Sequence, residues 1–176
     1  MGYGYKLRIG LLAPSSNTSM EPDFYRMAPN GVSIHTARMR LDEVTQKGLI
    51  EMAEDAERAS ALLATAGVDL VVYGCTTGSL IGGVKWEKTL MNKIEKRTSI
   101  PAFSTSGAVV EALTLFGRRI GIATPYTEAL NQLEREFLEA QGLEVGDMKG
   151  LGLTNNLEIG RTQMKTIQEL VKSVIT

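Results

Sequence analysis

Cys75 is the only cysteine in a chain of 176 residues, and it lies within Asp69-Leu-Val-Val-Tyr-Gly-Cys-Thr-Thr-Gly-Ser79. An apolar strand there empties into a turn rich in glycine and hydroxyl groups. In a parallel α/β protein, strands buried on both faces read as continuous apolar runs, and their carboxyl ends open into the ligand crevice. A thiolate at that point is a soft nucleophile. Backbone N–H groups and the hydroxyls of Thr76, Thr77 and Ser79 could hold an anionic oxygen beside it. The competing reading is a packed cysteine, because a free thiol often behaves as a small buried hydrophobe. Ionisation requires a helix N-terminus or a cation. No lysine, arginine or histidine adjoins Cys75, so the helix expected after it is the source.

The remaining candidates carry less chemistry. With one cysteine and one histidine, the chain has no internal disulfide and no multi-cysteine zinc site, and no metal is expected. His35 reads as a structural residue, since no cysteine or carboxylate beside it completes a constellation. Gly78, Gly82 and Gly83 form no dinucleotide fingerprint, and no Walker loop occurs. Asn17 by itself reads as turn chemistry, Tyr126 as packing against the next helix, and Asn155 and Asn156 as a turn or helix cap. Trp86 reads as core or interface, and Glu134-Arg-Glu136 as a solvated helix face.

Hydrophobic periodicity supplies the elements that must position these groups. Leu7–Ala13 is a short buried strand stopped by Pro14, and Ser15–Ser19 is a loop. Residues 23–27 form a short helix, and Val32–Ala37 a second strand. One long helix is predicted from Asp42, its cap, to Ala66, with Gly67 as its stop. The cysteine strand follows, then a helix from Trp86 to Lys96, a strand at Ile100–Thr105 and a helix from Ser106 to Phe116. The pattern then restarts, for Arg119-Ile-Gly-Ile-Ala-Thr-Pro125 echoes Arg8-Ile-Gly-Leu-Leu-Ala-Pro14. A helix with Leu130, Leu133, Phe137 and Leu138 on one face follows, then a strand within Val145–Leu153 and a mostly helical Leu157–Val174. The fold class is α/β, read as two pseudo-symmetric lobes, 1–117 and 118–176. The counterpart of Cys75 would fall beyond Thr176, so the second lobe reads as incomplete in this chain.

Bulk composition narrows the function classes. Apolar residues make up 43% and charged residues 22%, which supports a packed core. A formal net charge of −1 with no lysine/arginine cluster gives no nucleic-acid face. No apolar run approaches the roughly 18 residues a membrane helix needs. The N-terminal residues lack the order of a signal peptide, and the free thiol fits a reducing compartment. The expectation is a soluble, cytoplasmic protein.

Four segments resemble the aspartate/glutamate racemase superfamily, within it the maleate cis-trans isomerase and arylmalonate decarboxylase branch. Ala13-Pro-Ser-Ser-Asn-Thr-Ser-Met-Glu-Pro-Asp23 resembles the isomerase signature P-S-S-N-T-x-M-E-P-[DE]. Tyr73-Gly-Cys-Thr-Thr-Gly-Ser79 resembles the first catalytic loop. Ala123-Thr-Pro-Tyr-Thr-Glu128 resembles the turn opening the second lobe, and Asn155-Asn-Leu-Glu-Ile-Gly160 a later asparagine loop.

The resemblance implies two Rossmann-like lobes with parallel sheets, a small dicarboxylate between them, and no metal or organic cofactor. It implies Cys75 as the nucleophile. Asn17, Tyr126 and Asn156 become substrate-binding residues, with Asn155 the alternative to Asn156, while Pro14, Ser15, Thr76 and Thr77 shape the carboxylate pocket. The isomerases use a cysteine from each lobe, and the decarboxylases keep theirs in the second. A lone cysteine in the first lobe therefore favours an interrupted isomerase. The alternatives are a related racemase or decarboxylase, or a non-catalytic carboxylate-binding domain. An exposed sheet edge in a shortened lobe predicts a homodimer or higher homo-oligomer.

Overall fold

The computed structural model describes residues 2–175. In chain order, β1 (Leu7–Pro14), α1 (Met20–Met27), β2 (Val32–Met39), α2 (Gln46–Glu54), α3 (Ala56–Thr65) and β3 (Leu70–Tyr73) come first. They are followed by α4 (Thr76–Leu80), α5 (Gly83–Thr98), β4 (Ala102–Ser104) and α6 (Thr105–Thr114). The remainder is β5 (Arg119–Thr124), α7 (Glu128–Ala140), β6 (Glu144–Gly150), α8 (Asn156–Gly160) and α9 (Met164–Lys172). The result is an α/β fold of two parallel sheets, one of four strands in the order β2-β1-β3-β4 and one made of β5 and β6.

Strand order fixes where a ligand can enter. β1 pairs with β2 on one edge and with β3 on the other, so the chain reverses its winding direction between β1 and β3. Loops leaving two such strands diverge to opposite faces of the sheet and leave a crevice at their carboxyl ends. In register, Leu12 lies beside Tyr73, and Tyr73 beside Ser104. The loops after β1 and β3 therefore start at nearly the same level.

β1 shows why a continuous apolar run forms a strand here. Leu11 and Ala13 point to one face, where Met20 and Phe24 of α1 cover them. Leu12 points to the other, among Met39, Leu49, Met52, Ala56, Leu63 and Val71. Leu11 and Leu12 are wholly buried. Truncating either to alanine costs about 2–5 kcal/mol.

A second cluster joins Leu80 of α4 to Phe137, Leu138, Leu143 and Val145. The two clusters are bridged by α7, whose Leu130 lies in the first, Phe137 and Leu138 in the second, and Leu133 against both.

Two predicted helices are divided. The helix expected from Asp42 to Ala66 begins after Thr45, whose hydroxyl accepts the Gly48 N–H at 3.2 Å, and is interrupted at Asp55. The Asp55 carboxylate is engaged by the Arg58 guanidinium at 2.6 and 2.8 Å, and its N–H bonds back to Met52 O in a tighter turn. Asp42 pairs with Arg40 instead of capping. The C-terminal helical stretch is likewise split into α8 and α9. No helix among the described residues is long and apolar enough to cross a membrane.

Candidate active site

Cys75 sits at the carboxyl end of β3 and caps α4. Its backbone is extended (φ −145°, ψ 110°), and Sγ accepts the Gly78 N–H at 3.4 Å and lies 3.7 Å from Thr77 Oγ1. Burial pushes the thiol pKa up, while the Gly78 N–H and the Thr77 hydroxyl pull it down. Those two donors favour the thiolate by directing positive dipoles at sulfur. No cation adjoins the sulfur, and burial outweighs these two donors, so the thiol is held above its ordinary pKa.

A cavity of about 210 Å³ opens in front of the thiol, lined by the loops after β1, β3 and β5 and by α8. Pro14, Asn17, Cys75, Thr76, Thr77, Tyr126 and Asn156 all reach it. Larger depressions exist elsewhere, but they are more open to solvent and none reaches Cys75. Ser15 departs from the expectation. It lies outside the lining, and its hydroxyl accepts the Leu41 N–H at 2.9 Å. Ser79 departs as well. It is wholly buried, its hydroxyl bonded to Thr76 O at 2.8 Å and paired with the Ser106 hydroxyl at 2.7 Å.

Local hydrogen bonding sets what each lining group offers. Asn17 Oδ1 accepts the N–H groups of Ser19 and Met20, at 3.0 and 2.9 Å, at the start of α1. The carbonyl end of that amide is thus occupied, which leaves Nδ2 as the donor at the cavity wall. Asn155 caps α8 by accepting the Leu157 and Glu158 N–H groups and is not in the lining. Asn156, one residue on, is buried there, and its Nδ2 donates to Ser16 Oγ at 3.0 Å. Ser16 in turn donates to Leu41 O at 2.6 Å. This relay ties α8 to the loop after β1 across the two halves of the chain. Tyr126 places its hydroxyl deep against Thr77; burial, with the Cys75 and Glu134 charges behind it, pushes its pKa up.

The lining holds no charged side chain. A carboxylate entering it would meet amide N–H groups, hydroxyls and backbone dipoles, which stabilise negative charge without quenching a thiolate.

Three supporting residues escaped the sequence reading. Arg38, at the carboxyl end of β2, donates to Pro14 O, Ser15 O and Asn17 O, at 3.4, 3.1 and 2.8 Å, and pairs with Glu21. It fixes the whole Asn17 loop. The parallel register sets it beside Ala13, a pairing that the sequence does not display. Ser16 is the second, carrying the relay to Asn156.

Glu134 is the third, and it corrects the solvated face expected for Glu134-Arg-Glu136. It is only 8% exposed, its Oε2 has no partner among the described residues, and burial raises its carboxyl pKa to about 7. The helical spacing from Leu130 and to Leu138 places it in the apolar stripe of α7. Of that triplet, Glu136 is exposed and Arg135 half-buried, with its guanidinium on Val145 O and Gly146 O of β6. Elsewhere the expectations agree with the contacts. Trp86 packs on the main core and donates to Gly78 O at 3.1 Å, and His35 Nε2 meets Ser33 Oγ at 3.0 Å.

Residues 9–176 match the arylmalonate decarboxylase family. A maleate isomerase of Alcaligenes faecalis is 31% identical over 179 residues, covering 94% of this chain and 71% of that protein. One from Geobacillus stearothermophilus is 29% identical, covering 95% of this chain and 72% of its own length. Among solved structures, a cysteine-to-alanine variant of the Pseudomonas putida S16 maleate isomerase, with maleate, has a TM-score of 0.90 at 27% identity. That match covers 97% of this chain and 73% of the other. A cysteine-to-serine mutant of the Nocardia farcinica maleate cis-trans isomerase, with a covalently bound succinylcysteine intermediate, also scores 0.90. Its identity is 28%, with 96% of this chain and 73% of that chain covered.

Proposed function

The chain belongs to the arylmalonate decarboxylase family, and from that premise we propose that it isomerises maleate or a close cis-dicarboxylate through Cys75. The observation that carries the reading is the uncharged cavity in which one buried thiol faces donors from both sheets. In this reading the chain divides into lobes 1–117 and 118–176, with the substrate between them.

The chemistry follows from an alkene flanked by two carboxylates. The Cys75 thiolate adds to one olefinic carbon, forming a C–S bond, and the π pair moves toward the carboxylate on the neighbouring carbon. The former double bond is then single and rotates. Returning that pair re-forms the π bond, expels the thiolate and releases fumarate. Negative charge grows on a carboxylate only during addition, so donors fixed beforehand stabilise the transition state more than the ground state. Asn17 Nδ2, the Tyr126 hydroxyl and the Asn156 and Thr76–Thr77 region are assigned that role. A covalent succinylcysteine in the Nocardia relative, in a mutant with one cysteine changed to serine, supports a single thiol forming the adduct.

The test is proton NMR of the purified chain with maleate, set beside Cys75→Ser. Fumarate should appear with the unmutated chain alone. Equal fumarate from both proteins would remove Cys75 from the mechanism, and phenylmalonate and aspartate in parallel tubes distinguish a decarboxylase or racemase.

A further inference from the structure

Tyr73 is wholly buried, and its hydroxyl has no hydrogen-bond partner among the described residues. Such a group is rare in a native core, and each instance calls for a specific reason. Its location supplies one. Tyr73 ends β3, and Cys75 follows after Gly74, its N–H closing a tight turn on Tyr73 O at 3.0 Å. Both converge on Gly78, which belongs to the turn that Cys75 caps. A Cβ built on Gly78 would lie 3.0 Å from Tyr73 Oη, 3.2 Å from Cys75 Sγ and 2.9 Å from Met52 Cε. The absent methyl thus leaves a narrow gap shared by an unpartnered hydroxyl, a sulfur and one apolar side chain.

We propose that the Tyr73 hydroxyl is a third hydrogen-bond donor to the Cys75 thiolate, engaged when the thiol ionises and held in reserve when it is neutral. Gly78 then has two functions, presenting its own N–H to sulfur at 3.4 Å and keeping the space between hydroxyl and sulfur open. The arrangement answers a difficulty of the site, which must stabilise a thiolate with no cation in its lining. Two donors already reach Sγ, the Gly78 N–H and the Thr77 hydroxyl. Burial opposes ionisation more strongly than those two favour it. A third donor inside the core adds to them without admitting water. The Cys75 charge is also felt at Tyr73, whose own ionisation burial suppresses, so the phenol stays a donor throughout the working pH range.

The proposal rests on the reading of Cys75 as the ionising group, but its test does not require turnover. Cys75 is the only cysteine, so the pH dependence of iodoacetamide alkylation, followed by mass spectrometry, titrates this thiol alone. Tyr73→Phe, which keeps the ring and removes only the hydroxyl, should raise the thiol pKa by about one unit and slow alkylation at neutral pH about tenfold. Its melting temperature should stay equal or rise, because a buried unpartnered hydroxyl is gone. Gly78→Ala, which fills the gap with a methyl, should move the thiol pKa in the same direction. An alkylation profile in folded Tyr73→Phe that superimposes on that of the unmutated chain overturns the proposal. Absence of fumarate with an altered profile would instead count against the isomerase reading and leave the Tyr73 donor standing.

Discussion

The two sheets bring different kinds of group to one cavity, and they hold them in different ways. In the four-stranded sheet, β1 and β3 are interior strands with neighbours on both edges. The loops that carry Asn17 and Cys75 therefore start from backbone fixed by ladders on each side. In the two-stranded sheet, β5 and β6 each pair once. The groups that follow them, Tyr126 and Asn156, are held by loop backbone bonds, such as Gly152 N–H to Tyr126 O at 3.0 Å, and by added side-chain bonds. Thr124 donates to Asn131 Oδ1 at 2.6 Å, and its hydroxyl accepts the Tyr126 N–H at 3.2 Å. Gly150, at the end of β6, lets the strand pass against the Tyr126 carbonyl and the Asn131 amide where a Cβ would overlap both. Arg135 fastens α7 to β6, and Asn156 hangs from Ser16 in the other half. Cys75 is thus set by an interior strand, and the polar groups opposite it by loop bonds reinforced by side chains.

That contrast can be broken from either side. The largest expected effect is Cys75→Ser, which should lower maleate turnover by more than about a thousandfold with an unchanged circular dichroism melt. Next come Asn17→Ala and Asn156→Ala, each expected to reduce kcat by about 10²–10³-fold, the usual cost of one lost oxyanion donor. If the halves differ as argued, Asn156→Ala should also lower thermal stability through the lost Ser16 bond. Asn17→Ala should disturb chiefly the first turn of α1. Steady-state kinetics with parallel melting curves separate the two.

Glu134 gives the third test, through pH. Its carboxyl titrates near 7 in the fold against an ordinary value of 4.5. A raised carboxyl pKa means the folded state favours the neutral form. Its penalty is absent below pH 4.5, grows between 4.5 and 7, and is complete above, at about 3 kcal/mol. Glu134→Gln should remove that loss, so urea midpoints that fall from pH 5 to 7.5 in the unmutated chain should fall less in the variant. An unchanged pH slope would mean that Glu134 titrates normally. The smallest effect is expected from Arg38→Ala, which frees three carbonyls of the Asn17 loop. A roughly tenfold drop in kcat/KM with little change in melting temperature is expected, since loose positioning costs rate before it costs stability.

Much of this was legible in the sequence because β1, β3 and the cysteine turn are local signals. A continuous apolar run, a proline stop and a glycine–hydroxyl turn each declare themselves within ten residues or so. The break at Asp55 was not legible, because the apolar stripe continues through it; only the bond from Arg58 and the tighter backbone turn show the interruption. Glu134 was misread for the opposite reason. A charged triplet suggests solvent, yet position 134 falls in the stripe that joins the two clusters. Ser15 and Ser16 are adjacent hydroxyls with different partners, Leu41 N and Asn156 Nδ2, and nothing in their order distinguishes them. Ser79 looked like part of the anion loop until its partner, Ser106, arrived from another element.

The central claim is that the Cys75 thiolate bonds to the substrate carbon. Intact-mass spectrometry of the chain after incubation with maleate, followed by peptide mapping, tests it most directly. The account requires a mass gain equal to one maleic acid on the peptide carrying Cys75, absent in Cys75→Ser and suppressed by prior alkylation. A folded, unmutated chain that turns maleate into fumarate with no adduct at Cys75, or with an adduct elsewhere, would contradict it.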